Sequence, residues 1–273
     1  MKEGEKVFEE IPEVIMEKRL ECQEASESHV MMYSLRYHSD DCEVEGIAAF
    51  PEDVNGQKWP ALIFNRGGNR EFASLTPEKL CKYAACGYAT FGSQYRGNCG
   101  GTGKEEFGGS DINDVIHLID IALQLPCVRK EGVYMLGRSR GGMMTYMACA
   151  LDERIRAAAV CAGLADSVMM YETREESMKL VYHELVGGSP EECPEAFRRR
   201  SAVCWADKIE PPILICQGTS DWRVIPEQAY KMDRALEDAG KEHRLIVYEN
   251  ADHSLEGTPY LDDVIQWFQE HPL

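Results

Sequence analysis

Apolar positions in this chain follow two periods, and the grammar changes near Pro60. Before it, "VMMYSLRYH" from Val30 and "EVEGIAAF" from Glu43 are strand-like runs joined by "SDDC", which predicts an antiparallel pair. After it, short apolar strands alternate with helix-period segments through glycine-rich turns. "ALIFN" precedes "RGG", and "TPEKLCKYAACG" carries a helix with Thr76 as cap, Pro77 at its first position and Gly87 as its stop. "YATFG" is the next strand, followed by the loop "YRGNCGGTGKEEFGG" and the amphipathic "SDINDVIHLIDIALQLP", opened by Ser110 and closed by Pro126.

The second half repeats this order. "GVYMLG" and "RAAAVCAG" flank a helix beginning near Arg140, and "PILICQG" and "HRLIVYE" flank one from Pro226 to about Ala239. "TPYLDDVIQWFQEH" is a final helix with Thr258 as its cap. Nearly continuous apolar strands separated by helices predict an α/β fold: a mostly parallel central sheet with helices on both faces and an antiparallel edge from the opening hairpin. Residues 1–29 read as a polar, partly helical leader, and 30–273 as one domain. Residues 167–204 break the rhythm and predict a small helical cap inserted at the C-terminal edge of the sheet, where α/β proteins bind ligands.

Composition narrows the class. The 273 residues are 44% hydrophobic and 28% charged, with a net charge of −18, a balance that speaks against nucleic-acid and anionic-membrane partners. The charged N-terminus has no apolar signal region, and no apolar run approaches the roughly 18 residues of a spanning helix. Eleven cysteines, mostly in apolar runs and without a CxxC pair, predict reduced core thiols and a cytoplasmic chain. The only basic cluster, Arg198 to Arg200, reads as a solvated helix face.

The chemistry is carried by "YMLGRSRGGMM", residues 134–144. A strand ends, one serine sits on a sharp turn, and a helix begins. Such a turn projects the Ser139 hydroxyl above the sheet, and Gly137 and Gly141 remove side chains that would collide across it. A hydroxyl needs a base, and the base needs a carboxylate to orient it. Asp221 follows the strand "PILICQG" and His253 follows "HRLIVYE", so both loops lie on the same sheet edge as Ser139, in the order this fold uses. His29 and His38 precede the sheet, His117 lies mid-helix, His183 sits in the insertion, His243 opens a strand at its far end, and His271 is near the terminus. Asp252 and Asp207 compete with Asp221, but the first must fold back on its neighbour and the second lies at the wrong strand end. The backbone N–H of Arg140 is one expected oxyanion donor, and that of Gly68, beside Gly67, is the second. The chemistry calls for no metal or organic cofactor.

"GRSRGG", "QGTSDWRVIPEQA" and "NADHSL", with "RGG" after the first parallel strand and "YRG…GTGKEEFGGSDINDV" between, resemble the catalytic domain of the prolyl oligopeptidase family of α/β-hydrolases from about residue 30 to the end. The resemblance implies Ser139 as nucleophile, His253 as base and Asp221 as orienting acid, acting through an acyl-enzyme on a small ester or short peptide. Family peptidases usually carry a large β-propeller ahead of this domain. Here about thirty polar residues stand in its place, so the expectation is a stand-alone domain. Arg66 stands where true oligopeptidases have a tyrosine hydroxyl that helps hold the oxyanion, and its guanidinium is itself a candidate donor. Both departures leave a carboxylesterase open beside a peptidase, and a catalytically silent binding protein of the same fold is the reading from another class. Arg96 and Asp111 match family positions and read as loop-fastening charges. Arg66, Trp222, Met169 and Tyr171, with Met170 and Met178, are the candidates for a substrate pocket. Arg70, Arg138 and Arg223 read as surface ion pairs or as partners of a substrate carboxylate.

Overall fold

The structure, a computed structural model, describes residues 7–21, 25, 28–52 and 56–273. Parts of the expected leader (1–6, 22–24 and 26–27), with Cys22 among them, lie outside the described residues.

The strands hydrogen-bond in the order β1-β2-β3-β5-β4-β6-β7-β8-β9. They are β1 (Val14–Leu20), β2 (Val30–Ser39), β3 (Cys42–Pro51), β4 (Trp59–Asn65), β5 (Ala89–Ser93), β6 (Val128–Arg138), β7 (Ile155–Cys161), β8 (Ile213–Gly218) and β9 (His243–Tyr248). The helices are α1 (Pro77–Ala85), α2 (Ile112–Gln124), α3 (Arg140–Leu151), α4 (Ser167–Thr173), α5 (Glu176–Leu185), α6 (Pro194–Arg199), α7 (Pro226–Asp238) and α8 (Tyr260–Glu270). The chain divides into two compact units, residues 1–105, 113–134 and 273 in one and 106–112 with 135–272 in the other, and β6 contributes to both.

In the first unit β2 and β3 form the expected hairpin. Ser39 pairs with Cys42 across the two-residue turn, where Asp40 takes φ 52°. The expected leader does not stay helical: Val14–Leu20 is a strand antiparallel to β2, with Glu17 opposite Leu35. Its residues are half-buried or exposed, so the apolar alternation that marks a half-buried strand is weak there. Phe8, Tyr33, Phe50 and Phe91 form a run of ring contacts at 6.2, 6.0 and 5.5 Å that fixes the first stretch of chain onto β2, β3 and β5. β5 is antiparallel to β3 and parallel to β4. Arg96 fastens its loop as expected, donating from Nη2 to Asp114 Oδ1 at 2.7 Å and to Asp40 at 2.7 Å. Burial pushes the Asp114 carboxyl above its usual range, and the Arg96 and Ser39 hydrogen bonds oppose that shift.

In the second unit β7, β8 and β9 are parallel and in register, Cys161 opposite Cys216 and Gly218 opposite Tyr248. Residues 167–204 carry three short helices, α4 to α6, ending in a 3₁₀ turn at Ala202–Cys204. Asp166 caps α4 by accepting the N–H groups of Val168 and Met169 at 3.0 and 3.1 Å. Gln228, buried at the start of α7, accepts from the N–H groups of Ala165 and Asp166 and donates to the Asp166 carbonyl. That strap ties α7 to the chain leaving β7. The last helix begins one residue later than the Thr258 cap predicts, with Pro259 as its flanking residue.

The thiols are less uniformly internal than the apolar runs suggest. Cys81, Cys149, Cys161 and Cys216 are buried, but Cys86, Cys99 and Cys204 are exposed, and all the described cysteines are free. No helix among the described residues is long and apolar enough to cross a membrane, and no group of three or more metal-ligating side chains occurs among them.

Candidate active site

Ser139 stands between β6 and α3 with φ 56° and ψ −124°. This is a left-handed conformation that a residue with a side chain adopts only when its surroundings enforce it. Three main-chain hydrogen bonds do so here. The Ser139 N–H donates to the Cys161 carbonyl at 3.1 Å, and its own carbonyl accepts from Gly142 at 2.9 Å and Leu164 at 3.1 Å. The turn closes tightly because the positions around it are glycine. A Cβ on Gly137 would lie 2.1 Å from the Gly141 carbonyl oxygen, and one on Gly142 would lie 2.6 Å from the Gly163 Cα. Helix α3 therefore starts directly beneath the serine, and its head favours negative charge.

Arg140 holds the first turn of α3 from within. Its guanidinium, 2% exposed, is bonded to Asp111, whose side chain is fully buried, and lies over the Phe107 ring at 4.7 Å. Asp111 also accepts the Gly108 N–H at 2.9 Å, and Arg200 donates to the carbonyls of Phe107 and Glu106 at 2.8 Å each. The reading of Asp111 as a loop-fastening charge agrees with this arrangement, and Arg200 joins it rather than the solvated face expected of Arg198 to Arg200.

His253 and Asp221 come together. His253 Nδ1 is 2.8 Å from Asp221 Oδ2. The carboxylate, 2% exposed, is completed by the N–H groups of Arg223 and Val224 on Oδ1 at 2.9 and 3.0 Å, and by the Gln217 amide on Oδ2 at 3.3 Å. With the Nδ1 proton given to Asp221, the Nε2 of His253 is the acceptor. The competing carboxylates are occupied or elsewhere. Asp252 accepts from the N–H and hydroxyl of Ser254, which hold its pKa below the usual range, and Asp207 sits in a 3₁₀ turn before β8. No hydrogen bond joins the Ser139 hydroxyl to His253 among the described residues.

Two further residues support this geometry: Gln217, which the pattern does not single out, and Arg138, which it reads otherwise. Gln217, at the end of β8, holds both the Asp221 carboxylate and the Val224 carbonyl. Arg138 carries the other contact: its guanidinium donates to the carbonyls of Ser254 and His253 and to the Tyr260 hydroxyl. Arg138 thus reaches main-chain carbonyls and a tyrosine hydroxyl, contacts that its reading as a surface ion pair does not foresee.

The pocket candidates separate. Trp222, beside Asp221, is 61% exposed, with the guanidiniums of Arg174 and Arg223 over its ring at 5.6 and 5.2 Å. Tyr171 is spent within residues 167–204: its hydroxyl meets His183 Nε2 at 3.0 Å and its ring packs edge-on against Tyr182 and Phe197. Met169 is half-buried on α4, and Met170 and Met178 are buried. Arg66 and Gly68 belong to the first unit. Arg66 is buried, and its N–H groups go to the carbonyls of Gly67, Arg70, Phe72 and Gln94, so its guanidinium builds the loop and has no donor left for a ligand. Gly68, at φ +70°, is where that loop turns: a Cβ there would meet the Phe72 carbonyl oxygen at 2.1 Å.

The family model of the prolyl oligopeptidase family matches residues 81–271. The chain is 29% identical over 227 residues to an uncharacterized peptidase, YtmA, of Bacillus subtilis (strain 168), covering 82% of this chain and 87% of that protein. Among solved structures, the acylaminoacyl peptidase of Pyrococcus horikoshii superposes with a TM-score of 0.75 at 21% identity, over 97% of this chain but only 43% of its own. Acetyl xylan esterase 1 of Thermoanaerobacterium sp. JW/SL YS485 superposes with a TM-score of 0.70 at 18% identity, over 98% of this chain and 90% of its own. These two share the fold, a mostly parallel sheet flanked by helices. With a match over most of its length, the chain belongs to the prolyl oligopeptidase family of α/β-hydrolase-fold serine hydrolases.

Proposed function

We propose that Ser139, His253 and Asp221 are the catalytic triad of an acyl hydrolase acting on a small ester or a short peptide. His253 takes the Ser139 proton as the oxygen attacks the acyl carbon, and the imidazolium is stabilised by Asp221. The proton then passes to the leaving group, and a water activated by the same imidazole releases the acyl group. The Arg140 N–H, at the head of α3, holds one side of the oxyanion. Gly68 is assigned the second donor by sequence order alone, as the glycine after the first parallel strand. The observation that carries the reading is the 2.8 Å contact between His253 Nδ1 and a buried carboxylate, in a chain whose Ser139 occupies a left-handed turn at a helix head.

Within this class one observation favours esters. The Arg66 side chain gives its N–H groups to loop carbonyls, so the position that carries a helping hydroxyl in true oligopeptidases offers no donor here. Trp222, exposed beside Asp221, is the pocket candidate best placed to meet an acyl or aromatic group, and residues 167–204 are proposed as the cap. Ten free thiols among the described residues support a reducing, cytoplasmic setting.

The test is a panel of aryl esters of increasing acyl length beside aminoacyl- and X-Pro-arylamides, with a fluorophosphonate probe to mark the nucleophile. Covalent labelling at Ser139, abolished by Ser139→Ala, supports the triad. Turnover of esters alone assigns an esterase, and clear amide turnover a peptidase. Full hydrolysis by Ser139→Ala overturns the assignment.

A further inference from the structure

Arg138 ends β6 and shares a peptide bond with Ser139, yet its side chain reaches into the segment that carries His253. Nη2 donates to the Ser254 carbonyl and, at 3.4 Å, to that of His253. Nη1 donates to the Tyr260 hydroxyl at 3.1 Å, and the guanidinium carbon lies 5.1 Å from the Tyr260 ring centroid. We propose that Arg138 is a positioning residue that holds the His253 loop in register with Ser139, through this fork onto consecutive carbonyls and its stack on Tyr260.

The loop needs such a hold. Between Tyr248, the last residue of β9, and Tyr260, the first of α8, the chain has no regular structure, and Asn250 and Leu255 take φ values of 59° and 54°. Its first half is fastened toward β8. Ser220 N–H donates to the Ala251 carbonyl at 2.9 Å, and Asn250 N–H to the Thr219 hydroxyl at 2.8 Å. From His253 onward the main-chain ties are local, Asp252 to Ser254 and Leu255, and the longer-range holds among the described residues include the Asp221 contact on the His253 ring and Arg138 on the backbone. The Asp221 contact fixes Nδ1 but leaves the ring free to pivot about that bond, so the direction of Nε2 depends on where the His253 and Ser254 backbone is held.

Planarity makes arginine the fitting residue. A guanidinium presents several donors in one rigid fork and stacks on an aromatic face, whereas an ammonium is a single hydrated point charge. Adjacency to Ser139 matters as well. One side chain spans directly from the serine turn to the histidine loop, so motion of the loop relative to the turn must bend or break that fork. Misplacement of a catalytic group by about 1 Å costs on the order of 100-fold in rate.

The proposal rests on the triad reading, and the test separates the two. Rates of fluorophosphonate labelling, with the labelled peptide identified by mass spectrometry, and kcat and KM for an aryl ester are measured for the native chain, Arg138→Gln, Arg138→Lys and Arg138→Gly. Expected are labelling still at Ser139 but about 10- to 100-fold slower in Gln and Lys, with kcat falling and KM within about twofold. Partial rescue of Arg138→Gly by ethylguanidinium, absent for Ser139→Ala, is the signature a merely structural role would not produce. Tyr260→Phe, which removes one partner and keeps the ring, lowers kcat about threefold, and it decides the matter should the Arg138 variants fail to fold. Native labelling at Ser139 together with unchanged rates in Arg138→Gln, or in Tyr260→Phe if the former is unfolded, overturns the positioning role and leaves the triad standing. Absence of Ser139 labelling in the native chain removes both.

Discussion

The imidazole of His253 and the carboxylate of Asp221, thirty-two residues apart in sequence, meet at 2.8 Å, and the same carboxylate is closed on its other side by the N–H groups of Arg223 and Val224. Those two backbone donors hold Asp221 whatever its charge, so Asp221→Asn keeps the loop and changes what faces Nδ1 and the Gln217 amide, which share Oδ2. An amide turned with its N–H₂ toward the ring selects the wrong tautomer. The expected outcome is a loss of about 10³- to 10⁴-fold in kcat for an aryl ester with little change in KM, measured by steady-state kinetics.

Backbone strain at Ser139 makes a separate stability prediction. With φ at 56°, any L side chain there is disfavoured, and glycine is not. Ser139→Gly is therefore expected to be more stable than Ser139→Ala by about 1 kcal/mol in urea unfolding, and both to lose hydrolysis by several orders of magnitude. Equal stability of the two variants counts against strain at this turn.

The ion pair between Arg140 and Asp111 is enclosed, with side chains 2% and 0% exposed. Removing one member leaves a charge without its counterpart in a dry site. Asp111→Ala is expected to cost about 3–5 kcal/mol in chemical denaturation, and the double variant Asp111→Leu with Arg140→Met less than the single one.

Trp222 faces solvent beside a proposed catalytic carboxylate, an arrangement suited to binding rather than packing. Trp222→Ala is expected to raise KM for substrates with an aromatic acyl group by about 3- to 10-fold, the equivalent of one aromatic contact, with kcat preserved. A matching panel of short aliphatic esters is expected to respond less.

Glu175 supplies a pH prediction. The bidentate Arg174 hydrogen bonds at 2.7 and 2.8 Å pull its carboxyl down to about 2 from an ordinary 4.5. A carboxyl lowered in the folded state stabilises that state above the unfolded value, and the contribution disappears as pH falls from about 4.5 through about 2. Because Glu175 is largely exposed, the effect on stability is small. The sharper readout is its NMR titration, expected to return to the ordinary carboxylate range in Arg174→Met.

Much of this architecture can be read before any coordinates. The strand-turn-helix pattern places Ser139 between β6 and α3, and the ends of β8 and β9 place Asp221 and His253 in the loops where the structure has them, because periodicity and glycine placement are properties of the backbone. What escaped depends on where long side chains turn. Arg66 points inward onto three carbonyls of its own loop and that of Gln94 after β5, and Arg138 onto the carbonyls of a loop over a hundred residues away. Neither direction is encoded in a period of 2 or 3.6. β1 escaped for a related reason: a strand at the sheet edge with no fully buried residue shows little of the alternation that marks a half-buried one. Its setting among methionines marks Tyr171 as a pocket candidate, but its neighbours Tyr182 and Phe197 claim it for packing among the helices of residues 167–204.

The uneven placement of the thiols gives the chain a built-in gauge of its own folding. Cys86 and Cys204 stand open to a maleimide in the native protein, while Cys81, Cys149, Cys161 and Cys216 are sealed, and burial pushes the Cys149 thiol well above its usual pKa. Alkylation of these six thiols, read by mass, would therefore arrive in two waves, one immediate and one timed by opening of the core. Such a clock runs without an added tag, and it reports on the strands under the serine turn as well as on the whole.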